Sequence, residues 1–260
     1  MAEPVQIDWR KTVEALLSKS RRAFVPIDKS FIQLPRGSEK RKSILSEFVH
    51  NGDERGLKAY LLISASISSA DKNGKWHTSL PLQAWARAFG CYETTEKIIV
   101  GKNAASRILN RLQNYNLIKK ARLSGGKELD VELLSQDGSG GQYSRPKKRF
   151  VRLSYDFWRK RYDQRLSLAA IAMLLVVLGE KQPCVLPAER MPDWYGWSPD
   201  TAERGLRELV EKEVLCKKKM RREAALSPSG YAVVNEYTVK KPFDNDTLNL
   251  LRRRQKEVEE

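Results

Sequence analysis

The chain states nearly the same run of landmarks twice. Phe24-Val25-Pro26-Ile27 followed by Phe31 returns as Phe150-Val151-Arg152-Leu153 followed by Phe157. Leu80-Pro81 ahead of Phe89-Gly90 returns as Leu186-Pro187 ahead of Tyr195-Gly196. Ala105-Ser106-Arg107-Ile108-Leu109, closing on Leu112, returns as Ala202-Glu203-Arg204-Gly205-Leu206, closing on Leu209. The order is kept while the offset falls from 126 (Phe24 to Phe150) to 106 (Leu80 to Leu186) to 97 (Ala105 to Ala202), which places insertions in the first copy. Two copies of a unit of roughly 100 residues predict two similar domains, each with its own core.

The elements follow from periodicity and punctuation. Asp8 caps an amphipathic helix expected to run to Ala23, with Trp9, Val13, Leu16 and Leu17 near helical spacing. Phe24 to Leu34 reads as extended, and Pro35 to Lys42 as a basic loop. Leu57 to Ala70 is a helix. Thr78 or Ser79 caps a short helix through Phe89, which Gly90 ends. Cys91 to Gly101 has no counterpart in the second copy, and Lys102 to Asn116 is the third main helix. Leu117 to Leu134 alternates as a hairpin around Ser124-Gly125-Gly126. Ser135 to Arg149 is polar, Gly-rich and then basic, and reads as a linker. The second copy predicts an extended start at Phe150, a buried helix Leu168 to Leu178, short helix Pro187 to Tyr195, helix Ser198 to Lys212, a hairpin Val214 to Lys240, and a charged helix from Asp244. The expected boundaries are thus 1–23 for an N-terminal helix, 24–134 and 150–243 for the two domains, 135–149 for the linker and 244–260 for the terminal helix.

The second copy carries the clearest signal. Ser198-Pro199 sets an N-cap followed by proline at the first helical position. Ala202, Gly205, Leu206 and Leu209 then fall at i, i+3, i+4 and i+7 as a core stripe. The stretch from Ser198 to Leu215 resembles the recognition helix and first wing strand of bacterial winged-helix transcription regulators; Lys102 to Ile118 resembles it in the register of Ala105, Arg107, Leu109 and Leu112. The resemblance covers roughly residues 57–134 and 166–240. It implies a mainly α fold with small β-hairpin wings, α+β in class: two tandem winged helix-turn-helix domains joined by a basic linker. Plasmid replication initiators built of two winged helices share that architecture.

Charge points to the partner. Lys and Arg number 48 against 32 Asp and Glu, a net charge of +16. Residues 1–149 hold 27 basic against 15 acidic side chains, and residues 150–260 hold 21 against 17, so the excess is +12 in the first part and +4 in the second. Such a balance attracts polyanions, nucleic acid before an anionic membrane. With Ala105, Ile108, Leu109 and Leu112 facing the core, the opposite face of the third helix shows Asn103, Arg107, Asn110 and Asn114. Arg and Asn are the side chains that bond guanine and adenine edges. The corresponding positions of the second copy are Asp200, Arg204, Arg207 and Glu211, of which Arg204 and Arg207 are candidate base readers on a face of mixed sign. The alternative for either set is a solvated helix face. Candidate phosphate contacts are Lys102, Arg111, Lys119, Lys120, Arg122 and Lys127 in the first copy. Lys147, Lys148 and Arg149 follow in the linker, and Lys217, Lys218, Lys219, Arg221 and Arg222 in the second wing.

Other classes find little support. His50 and His77 are the only histidines, and neither belongs to a His-x-His pair or a His-Glu-x-x-His helix. Gly125-Gly126 and Gly138-Ser139-Gly140-Gly141 lack the strand–loop–helix setting of a phosphate loop. No catalytic site, metal or cofactor is expected. Cys91, Cys184 and Cys216 match no metal spacing and read as small buried residues of a protein in a reducing compartment. Trp194 and Trp197 flank Gly196 and read as packing between helices. The N-terminus shows no apolar signal core, and the run Leu168 to Leu178 is too short to span a bilayer. The expected partner is double-stranded DNA in the bacterial cytoplasm, at the nucleoid. A second copy of the chain, or another protein, is the further expected partner, engaged through the second domain or the terminal helices; a membrane is not.

Overall fold

The computed structural model describes residues 8–20, 22–35, 43–93, 95, 97–122 and 127–259, the last four as backbone. The expected turn Ser124-Gly125-Gly126 and residues 36–42 of the expected basic loop lie outside these. In chain order the elements are α1 (Trp9–Ser18), β1 (Phe24–Asp28), α2 (Lys29–Ile32), α3 (Ile44–His50), α4 (Glu54–Ser66), β2 (His77–Pro81), α5 (Leu82–Ala88), α6 (Ile98–Asn114), β3 (Ile118–Arg122) and β4 (Glu128–Leu133). There follow β5 (Phe150–Ser154), α7 (Asp156–Arg159), α8 (Tyr162–Arg165), α9 (Leu168–Gly179), β6 (Cys184–Val185) and a 3-10 turn (Ala188–Arg190). The chain closes with α10 (Met191–Tyr195), α11 (Pro199–Glu211), β7 (Leu215–Glu223), β8 (Tyr231–Val239) and α12 (Asn245–Glu259). The class is α+β with small antiparallel sheets.

The chain packs as two compact units that interleave in sequence. The first comprises Met1–Val25 and Asp53–Arg145, the second Pro26–Gly52 and Pro146–Glu260. This differs from the expected boundaries at two places. Residues 26–52, read as the start of the first domain, belong to the second unit, where Phe31, Leu45 and Phe48 are fully buried. The repeated landmark explains why: β1 and β5, which carry its two copies, pair with each other in one two-stranded sheet. Residues 135–145, read as linker, fold onto the first unit. Leu134 bridges Gln142, Ser135 N–H donates to the Gly141 carbonyl at 2.8 Å, and buried Tyr143 meets Trp76 edge-on at 5.3 Å.

Each unit repeats one connectivity: helix, strand, helix, helix, two-stranded hairpin. The sheets share an order too, β2-β4-β3 in the first unit and β6-β8-β7 in the second. In the second unit α9 is apolar all round and buries every side chain from Ala169 to Val177, which makes it the central core element. Gly205 of α11 crosses it so closely that a Cβ there would stand 2.4 Å from the Ala169 carbonyl oxygen. The N-cap reading of α11 holds in detail, since Ser198 Oγ accepts from Thr201 N–H at 3.2 Å and Pro199 opens the helix. Trp197 is buried and stacks on Tyr195 at 5.4 Å, and the Trp194 carbonyl accepts from Gln33.

In the first unit the expected cap at Thr78 or Ser79 is instead strand. Both residues pair with β4, and α5 starts behind Pro81 without a side-chain cap. Ser79 donates to Asp130 Oδ1 at 2.6 Å, and His77 Nδ1 approaches the same oxygen at 2.7 Å. The other ring nitrogen of His77 lies 3.5 Å from Asp71, whose carboxylate closes the preceding turn by accepting from the Asn73 and Lys75 amides. His77 therefore fastens a loop to a sheet. Cys91 and Cys184 are buried as expected, whereas Cys216 is exposed because strand alternation sends its neighbour Leu215 inward.

Candidate nucleic-acid interface

The third long helix of the first unit, α6, begins four residues earlier than the sequence suggests, at Ile98. Its buried stripe is Ala105, Ile108, Leu109 and Leu112. Helical geometry then turns Asn103, Arg107, Asn110 and Asn114 outward, and all four are exposed. The helix contains no acidic residue. Lys119 and Arg122 on β3 and Lys127 before β4 are exposed on the adjoining hairpin, and Lys102 is half-buried on the helix itself. Lys120 is half-buried and donates to Asn110 Oδ1, tying the hairpin to the outward face. Burial, then the neighbouring charge of Arg122, pushes its ammonium below the ordinary lysine value.

Arg111 sits apart from this set. Its guanidinium donates twice to Asp53, Nε to Oδ2 and Nη2 to Oδ1, both at 2.8 Å. Asp53 is the N-cap of α4 and accepts from Gly56 N–H at 3.0 Å. The hydrogen bonds it donates to Asp53 raise the Arg111 pKa further. A side chain held at both ends of its fork braces α6 against the start of α4.

In the second unit Asp200, Arg204, Arg207 and Glu211 are exposed on α11, two cations flanked by two acids on a face of mixed sign. Arg204 lies 3.8 Å from Asp200, an exposed pair of little energetic weight. Lys217, Lys218, Lys219, Arg221 and Arg222 are exposed along β7. Arg221 covers the Tyr231 ring at 4.8 Å and Arg222 bonds Glu236 at 3.0 Å, so these two are partly engaged within the hairpin. Lys147, Lys148 and Arg149 are exposed at the head of β5. Beside α11 a groove is lined by Leu206, Val210 and Val233 together with charged side chains of both signs, among them Glu203, Glu211, Arg207 and Lys217.

The residues missed from sequence stand at the start of α6. Ile98, Ile99 and Val100 are exposed large aliphatic side chains in its first turn. The only sequence signal was the apolar triplet inside a segment without counterpart in the second copy. Among the described residues no group of three His, Cys, Asp or Glu is placed to hold a metal ion, and no helix is long and apolar enough to cross a membrane. No protein-family model, no curated protein and no solved structure matches the chain.

Proposed function

We propose that the protein is a sequence-specific double-stranded DNA-binding protein made of two winged helix-turn-helix units, acting as a transcription regulator at the bacterial nucleoid. The carrying observation is the outward line Asn103, Arg107, Asn110 and Asn114 on a helix without acids, beside a cationic hairpin. Arg and Asn are the side chains that make two-point contacts to guanine and adenine in the major groove. Hairpin cations neutralise phosphates and set the register. The repeated order of helices and the shared strand order, β2-β4-β3 and β6-β8-β7, support one fold used twice. A plasmid or phage replication initiator binding origin repeats uses the same architecture.

Selection of bound sequences from random duplex DNA tests the proposal. An enriched motif at moderate salt is the expected result, and sequence-blind binding would overturn it. A motif found in tandem arrays at an origin would identify the initiator role, and a single site at a promoter the regulator.

A second reading applies to the second unit alone. The mixed charge on α11 and the groove beside it, apolar in part and carrying both acids and cations, favour a protein partner there. In that case the first unit reads DNA and the second recruits.

A further inference from the structure

We propose that Ile99 and Val100 read thymine, packing against the C5-methyl group that this base displays in the major groove. The inference rests on the DNA-binding reading of α6 and names part of what that helix selects. Ile98, Ile99 and Val100 are 55%, 70% and 44% exposed, a contiguous run of β-branched side chains. Such residues are poor helix formers, and single apolar residues on a surface are ordinary where a run of them marks a contact.

Direction decides the occupant. At about 100° per residue, Ile99 lies about 40° to one side of Asn103 and Val100 about 60° to the other, while Arg107, Asn110 and Asn114 fall within about 40° of it. The apolar turn therefore heads the same line as the polar readers. Its backbone is held in place: a Cβ on Gly101 would stand 2.1 Å from the Tyr92 ring, and the Tyr92 hydroxyl donates to the Ile98 carbonyl at 3.4 Å. Lys97, just ahead of the patch, is exposed and Lys102, just after it, half-buried, with no acid on the helix. Lysine is depleted from protein–protein interfaces, whereas it draws a polyanion. The apolar group a major groove offers is the thymine methyl.

The test uses the full chain and duplexes carrying the selected site, with deoxyuridine replacing thymine at each position in turn at one salt concentration. Deoxyuridine keeps every hydrogen bond and removes only the methyl. Wild-type protein should lose about fourfold in affinity for each contacted methyl removed. Ile99→Ala or Val100→Ala should lose a similar factor on the thymine duplex and become indifferent to the exchange at one position. Both substitutions are on the surface and favour helix, and an unchanged melting temperature verifies folding. A selected site without thymine, or equal wild-type binding to both duplexes, overturns the proposal while leaving DNA binding intact. So do variants that keep wild-type methyl sensitivity, or that alter sedimentation instead of affinity. Failure of the wild type to bind any duplex overturns the underlying reading as well.

Discussion

Arg111 on α6 grips Asp53, the cap of α4, and the residue equivalent to Arg111 in the second unit grips a cap as well. The offset of 97 that takes Ala105 to Ala202 takes Arg111 to Glu208. Glu208 accepts from the Ser167 amide at 2.9 Å and its hydroxyl at 2.5 Å, and Ser167 is the N-cap of α9. Each unit thus ties the helix that leads into its hairpin, α6 or α11, to the start of the helix that opens the repeated connectivity, α4 or α9, with a cation in one and an anion in the other. The sign follows the cap: an aspartate needs a donor, whereas a serine offers its amide and hydroxyl and needs an acceptor.

Stability and DNA affinity should therefore separate along α6. Arg111→Ala strands the Asp53 carboxylate, of which only 9% of the side chain is exposed, and should lower unfolding free energy by about 1–2 kcal/mol with little change in affinity. Arg107→Ala should leave the urea midpoint alone and lose about 1–3 kcal/mol on the preferred site, relaxing one base position. An Arg111→Ala protein with an unchanged midpoint and weaker binding on every sequence would place that residue on the phosphates.

Gly205→Ala should destabilise the second unit by about 1–3 kcal/mol, although alanine is the better helix former by about 1 kcal/mol. The obstruction is the backbone of α9, which cannot turn aside as a side chain would: the carbonyl carbon of Ala169 stands at 2.7 Å and its oxygen at 2.4 Å. A raised urea midpoint would mean that α9 and α11 are further apart at this crossing.

His77 gives the first unit a pH dependence. Its pKa is raised above 6.5, chiefly by the hydrogen bond to Asp130, with the charges of Asp130, Asp71 and Glu132 adding to it and desolvation opposing. The folded form therefore holds the proton more tightly than the unfolded chain does. The stabilisation is complete below pH 6.5 and is lost as pH rises through the higher folded value. Urea midpoints measured across that range should fall for the wild type and stay nearly level for His77→Gln. Parallel curves for the two proteins would exclude His77 as the source.

Duplex binding should fall steeply with salt, each neutralised phosphate contributing a slope of about −0.9 in log K against log salt. A slope shallower than about −3 is incompatible with the extensive contact proposed. Lys217→Ala combined with Lys218→Ala should weaken all sequences alike and reduce the slope by about 2. A changed base preference would place β7 in a groove rather than on the backbone.

What could be read in advance was local. The Ser198 cap, the stripe from Ala202 to Leu209 and the apolar run of α9 are complete signals within a dozen residues, and they predicted α9 and α11 to within about one residue at either end. The start of α6 was hidden because Ile98, Ile99, Val100 and Gly101 all disfavour helix on propensity, while the Tyr92 ring packed over Gly101 is a tertiary contact. Thr78 and Ser79 look like caps until β4 pairs with them across about 50 residues. Segment 135–145 has a linker's composition, yet Tyr143 anchors it on Trp76. Of the candidate site, helical spacing alone turned Asn103, Arg107, Asn110 and Asn114 outward. The capture of Arg111 depended on Asp53, 58 residues earlier.

The interleaving of the two units has a cost in time. Pro26–Gly52 must wait for Pro146–Glu260, and all of Asp53–Arg145 is made in between. At roughly 5–20 residues added per second, roughly 5 to 20 seconds pass on the ribosome before the first residue of Pro146–Glu260 is even made. Through that wait Phe31, Leu45 and Phe48 remain in water while the first unit already has its whole sequence in hand. Birth order thus differs from chain order: the stretch that emerges second is among the last to find its place.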